Sequence, residues 1–147
     1  MKIGGYFMNE FFLNEAFKEA KKAFDLDEIP VGCVIVYKNH IISRAHNCKE
    51  LKNNAIMHAE ILAVDRACKK LKSWRLDDCI LYTTLEPCLM CTGAILECRI
   101  KNVYYGTSSK SKQMFDIKDL DNINFYDMEN IDCSNILSDF FQIKRLK

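Results

Sequence analysis

The sequence predicts an α/β fold, with a mixed central sheet of about five strands covered by helices on both faces. Three observations predict it. Apolar positions switch between the helical and the strand period, in the order α-β-β-α-β-α-β-(β)-α. In the second half each strand leads through a helix to the next strand, which is how parallel strands are joined. With only five glycines and two prolines in 147 residues, and no repeat or low-complexity stretch, residues 1–147 are expected to form a single domain.

Each element has its own signal. Phe12, Leu13, Ala16, Phe17, Ala20, Ala23 and Phe24 recur at helical spacing, giving a first helix from about Glu10 to Phe24. Val31 to Tyr37 is a β-branched apolar run, and Lys38-Asn39 makes a tight turn into a second strand, Ile41 to Ala45. A helix from about His58 to Leu71 is expected to bury Ile61, Leu62, Ala67 and Cys68. Cys79 to Thr84 is the third strand. Pro87 suits the first turn of the next helix, which runs to about Cys98. Val103 to Tyr105 is a short buried strand, residues 106–122 read as polar and irregular, and Asn124 to Met128 is a fifth strand. A last helix starts near Asp132, with Ile136, Leu137, Phe140, Phe141 and Ile143 on its apolar side.

Composition narrows the function classes. Apolar residues make up 49% of the chain and charged ones 28%, as in ordinary globular proteins. No apolar run is long enough to span a membrane, and Met1 to Asn9 has no signal-peptide h-region. Eight cysteines without a secretory signal point to a reducing compartment, so a cytoplasmic location is expected. A formal charge of +1 does not announce a nucleic-acid binder, so any such role rests on local patches. Lys69, Lys70, Lys72 and Arg75 form one; Lys110 and Lys112 another; Lys144, Arg145 and Lys147 a third.

The chemistry lies in His58-Ala59-Glu60 and Pro87-Cys88-Leu89-Met90-Cys91. By composition the first arises by chance in about one such chain in five and the second in about one in a hundred and fifty, so the pair carries the weight. His58, Cys88 and Cys91 supply three ligands for one Zn²⁺, and three protein ligands leave a position open, as catalytic zinc sites do. Residues two apart in a helix point about 200° away from each other, so His58 and Glu60 serve one site only if His58 stands at a helix edge. Cys88 and Cys91, three apart at a helix start, share a face, and the helix N-terminus favours their thiolates. Zinc activates water there, and Glu60 is placed to shuttle its proton to a ring nitrogen and then to a leaving amine. Hydrolytic deamination of an aminopurine or aminopyrimidine uses all four residues.

Other readings leave something over. A redox pair at Cys88 and Cys91 gives His58 and Glu60 no role, and a structural zinc site lacks a fourth ligand. Cys33, Cys48, Cys68, Cys79, Cys98 and Cys133 fall in apolar patterns and are read as core. His40 is read as a surface residue of the hairpin, with His46 next to Asn47.

With these motifs the chain resembles the TadA-type tRNA-specific adenosine deaminases of the cytidine deaminase-like superfamily, from the first helix to the C-terminus. Ile29-Pro30-Val31-Gly32, Asn47, Thr84-Leu85-Glu86-Pro87-Cys88-Leu89-Met90-Cys91 and Leu137-Ser138-Asp139-Phe140-Phe141 carry the likeness. The resemblance implies the three-layer α/β/α cytidine deaminase-like fold, one Zn²⁺ per subunit and a homodimer. It also implies a tRNA anticodon stem-loop as substrate, whose wobble adenosine is flipped into the pocket and becomes inosine. Asn47 would hydrogen-bond the flipped nucleoside, and Ile29, Val31, Leu85 and Ala59 belong to the same substrate-binding set. The last helix, basic and aromatic, would suit RNA backbone contact, with Phe140 and Phe141 expected in the core.

The chain departs from the family at three places. Ser109 stands where the family has an aspartate that grips the anticodon loop, Lys110 to Phe115 is shorter and lacks glycine, and Ala55-Ile56-Met57 replaces Pro-Thr-Ala. The loop changes motivate one alternative, deamination of a free base or nucleoside such as cytosine, guanine or cytidine; a second, of a different class, is a non-catalytic subunit that helps a partner deaminase bind RNA. Intact Glu60 argues against the second.

Overall fold

The computed structural model describes residues 2–109 and 121–146, with side chains from residue 7 onward. The elements run α1 (Lys2–Asp25), β1 (Gly32–Tyr37), β2 (His40–His46), α2 (Ala59–Leu71), β3 (Cys79–Leu85), α3 (Leu89–Glu97), β4 (Asn102–Thr107), β5 (Asn124–Asp127) and α4 (Ile131–Arg145). The sheet has five strands in the order β2-β1-β3-β4-β5. β1 is antiparallel to β2 and β3, whereas β3-β4 and β4-β5 are parallel, so the sheet is mixed as expected.

Strand alternation sorts the core onto two faces. Cys33, Ile35, Leu81 and Val103 pack with Leu62, Ala63 and Ile95 of α2 and α3. Val34, Val36 and Tyr82 pack with Phe12, Leu13 and Ala16 of α1 and Cys133 of α4. β1 therefore needs apolar side chains at consecutive positions, as a strand covered on both faces does. Gly32 is required at its start: a Cβ there would collide with the Ala16 carbonyl and the Ala20 backbone of α1. The β1-β2 turn has Lys38 and Asn39 at φ 50° and 64°, the left-handed pair that matches hairpin twist.

Several expectations need correction. α1 begins at Lys2 rather than near Glu10. Gly4 and Gly5, each costing about 1 kcal/mol in a helix relative to alanine, hid that extension. Pro87 lies just ahead of the α3 N-cap, Cys88, and not in the first turn. Ile61 and Cys68 are half-buried rather than buried, because α2 turns the Leu62, Ala63 and Ala67 stripe to the sheet. Phe140 is 6% exposed and packs edge-on against Phe24, but Phe141 is 42% exposed, outside the core. The remaining core cysteines (Cys33, Cys48, Cys79, Cys98 and Cys133) are buried, and His40 is exposed. Lys110, Lys112, Lys147 and the Lys110 to Phe115 segment lie outside the described residues.

Candidate active site

The two motifs meet where the N-termini of α2 and α3 converge. His58 is the N-cap of α2, with extended backbone (φ −75°, ψ 152°), and Cys88 is the N-cap of α3 (φ −73°, ψ 177°). Cys91 is the third residue of α3 and is fully buried. His58 Nδ1 lies 3.6 Å from Cys88 Sγ and 3.5 Å from Cys91 Sγ. The three ligand atoms all lie within 4.8 Å of one another, the one such group among the described residues. Ligands of a tetrahedral zinc, at about 2.0–2.1 Å for nitrogen and about 2.3 Å for sulfur, stand about 3.6 Å apart. The donor set and its spacing fit that metal.

The electrostatics are those of thiols held at helix starts beside an imidazole. A hydrogen bond from Cys91 and another from His58 bring the Cys88 thiol down to about 4. Cys91 is shifted the opposite way, because it hydrogen-bonds to the Cys88 thiolate and is buried. The same hydrogen bond with Cys88 raises His58. Cys88 thus takes the thiolate and Cys91 keeps the proton, which a bound cation would displace.

Glu60 is the second residue of α2, 4% exposed, and burial pushes its carboxyl up to about 7. It is hydrogen-bonded to the Cys91 thiol, so its carboxylate reaches the cluster. His58 stands at the helix edge, the placement that lets it serve one site with Glu60, since its backbone has not yet entered the helix.

The other expected residues have these places in the fold. Val31, Ala59 and Leu85 belong to one packed group that also holds Met57. Ile29, 36% exposed, stands at the entry to β1. Asn47 is buried; its Nδ2 donates to the Ile29 carbonyl (3.2 Å) and its Oδ1 accepts the Lys49 N–H (3.2 Å). The loop from Asn47 to His58 is closed by the Cys48 N–H donating to the Met57 carbonyl at 3.0 Å.

Glu28 escaped the sequence reading, and Thr84 and Glu86 were read there only as part of the family likeness, without the contacts they make. Glu28, 1% exposed, accepts the N–H groups of Glu50 and Leu51. Thr84 Oγ1 accepts the Gly32 N–H at 3.1 Å, tying β3 to β1. Glu86 accepts the Ser109 N–H at 2.9 Å and donates its own N–H to the Thr107 carbonyl. None has a spacing signal, since each acts on distant backbone. A separate open groove of about 380 Å³, lined by Phe17, Phe24, Asp25, Asp132 and Asp139 among others, lies between α1 and α4 on the other side of the sheet.

A mixed sheet whose helix N-termini present one imidazole, two thiols and a buried carboxyl defines a metal-dependent deaminase, and the MafB19-like deaminase family model matches residues 8–145. A relative named tRNA-specific adenosine deaminase from Bacillus subtilis (strain 168) is 49% identical over 98 residues, covering 67% of this chain and 61% of that protein. One of the same name from Streptococcus pyogenes serotype M18 is 42% identical over 141 residues, covering 90% and 89%. A structure solved in work on A-to-I editing by tRNA:A34 deaminases superposes with a TM-score of 0.79 at 31% identity, covering 87% of this chain and 99% of that one. The chain belongs to the tRNA-specific adenosine deaminase family.

Proposed function

We propose that this protein hydrolyses adenosine to inosine and ammonia at the wobble position of a tRNA anticodon, as one zinc-dependent deaminase domain spanning residues 1–147. The observation that carries the reading is the triangle of His58 Nδ1, Cys88 Sγ and Cys91 Sγ, with buried Glu60 hydrogen-bonded into it. His58, Cys88 and Cys91 would hold one Zn²⁺ per subunit. Zinc supplies the Lewis acidity that brings the ionisation of water toward neutral pH. Glu60 takes one proton from the attacking water to the purine ring nitrogen, and a second from the hydroxyl left on C6 to the departing amine, which leaves the C6 carbonyl. Its raised carboxyl range suits a group that both accepts and donates at neutral pH.

Asn47, Ile29, Val31, Leu85 and Ala59 would hold the nucleoside, flipped out of the anticodon loop because its C6 cannot be reached while stacked. A homodimer is part of the reading. Ile56 (50% exposed) and Leu89 (46%), close to His58 and Cys88 in sequence, and Leu51 (60%), earlier in the same loop as Ile56, present large apolar side chains that a second copy would cover. A cytoplasmic setting suits the eight free cysteines. No helix among the described residues is long and apolar enough to cross a membrane.

Zinc-loaded protein incubated with an anticodon stem-loop carrying a wobble adenosine should yield inosine, measured beside free adenosine, cytidine, cytosine and guanine. No inosine in the stem-loop, with turnover of a free base, would replace this reading with the free-base one.

A further inference from the structure

We infer that Glu28 is a positioning residue for nucleoside recognition: its buried carboxylate clamps the turn after Asn47 and so aims the Asn47 amide into the pocket. The inference rests on the proposed role of Asn47. Glu28 is anchored first through its own backbone, whose N–H donates to the Ala23 carbonyl at the end of α1 (2.9 Å). From there its side chain reaches across 22 residues of sequence. Oε1 accepts the Glu50 N–H at 2.9 Å and Oε2 the Leu51 N–H at 2.7 Å. These N–H groups open a short turn in which the Lys52 N–H donates to the Cys48 carbonyl and the Asn53 N–H to the Glu50 carbonyl. The first N–H groups of such a turn have no partner within it. A carboxylate meets both at once, with bonds stronger than neutral acceptors make.

Asn47 lies between the two parts that Glu28 joins. On one side the segment following Glu28 holds it: the Ile29 carbonyl accepts Asn47 Nδ2 (3.2 Å), and the Val31 carbonyl accepts the Asn47 backbone N–H (3.0 Å). On the other side the clamped turn holds it, through the Lys49 N–H on Asn47 Oδ1 (3.2 Å). With one Nδ2 hydrogen and one Oδ1 lone pair taken, the amide keeps one donor and one acceptor for a ligand. Their direction depends on both anchors staying in register. His58, at the far end of the loop, is held independently by α2, where its carbonyl accepts the Leu62 N–H (3.0 Å). Loosening the clamp should therefore disturb nucleoside binding and leave the metal ligands in place.

Glutamine keeps the length of Glu28 but turns an NH₂ group toward one of the two N–H donors, so Glu28→Gln breaks one arm of the clamp. The test is steady-state kinetics and zinc content of Glu28→Gln, Asn47→Ala and the double variant, on the stem-loop with wobble adenosine. Glu28→Gln should raise KM about tenfold, the effect of one lost hydrogen bond of typical strength, with kcat within about twofold and zinc retained. In the Asn47→Ala background it should change KM no further. A fall in kcat or zinc at unchanged KM, or additive effects of the two substitutions on KM, would overturn the inference. Amide hydrogen exchange of the wild-type protein tests the clamp without any variant. Glu50 and Leu51 should be protected, and exchange as fast as free loop amides would also overturn it. Unchanged KM in Asn47→Ala with those two amides protected would refute instead the role of Asn47, and with it the inference.

Discussion

The proposed site has two halves, one for the metal and one for the nucleoside, that are built differently. The metal half is made from caps of regular elements: His58 before α2, Cys88 before α3, and Cys91 and Glu60 within the first turns. The nucleoside half is made from the loop after β2 and the segment before β1, joined by Glu28 and Asn47 through hydrogen bonds to distant backbone. Helix N-termini supply unpaired N–H groups and a positive dipole end where thiolates are needed, so the geometry of one half comes with the secondary structure. The other half has no such frame and is held by a few buried polar contacts, each sensitive to the loss of one partner.

The two halves should break separately. The largest effect is expected from Cys91→Ser or Cys88→Ser. Each removes a soft ligand from a site of only three, so zinc and inosine formation should be lost together, measured by metal analysis and turnover. Zinc retained in either variant would mean that the cation is held elsewhere. Gly32→Ala acts on the opposite half. Its Cβ pushes β1 away from α1, at a cost of about 1–3 kcal/mol in chemical denaturation. Because His46, the residue before Asn47, pairs with Gly32, KM should rise while zinc stays bound. Loss of zinc in this variant would show the halves to be mechanically one. The smallest effect sharpens the metal half alone. In metal-free protein Cys88, exposed and ionised above about pH 4, should alkylate first, at a rate nearly flat from about pH 5 to 8. Cys98 and Cys133, pushed up to about 11 and about 12 by burial, should stay unmodified, and zinc should protect Cys88.

The same division explains what was legible in the sequence. Element order, the mixed sheet and the grouping of His58, Cys88 and Cys91 all follow from periodicity and short spacings, which are local quantities. The helix-edge placement of His58 was legible too, since the two-residue spacing to Glu60 permits nothing else. Glu28 was not. A glutamate beside Asp27 in a polar stretch carries no sign that it lies 1% exposed, because its partners are 22 and 23 residues away. The clasp between Glu86 and the Ser109 N–H was hidden for the same reason: Ser109 was notable only for the carboxylate it lacks, and its tie is through backbone. Phe141 was misplaced because Phe140 and Phe141 are adjacent on a helix, about 100° apart, and only one of them faces Phe24.

The most direct test of the division of labour is zinc content and inosine formation in Glu60→Ala, measured on the same preparation. With Glu60 as the proposed proton carrier, outside the His58, Cys88 and Cys91 group, the variant should keep about as much zinc as wild type. Its kcat should fall about 10²- to 10⁴-fold, the usual worth of a positioned acid–base group. Zinc loss equal to that of Cys91→Ser would contradict the assignment and make Glu60 part of the metal site.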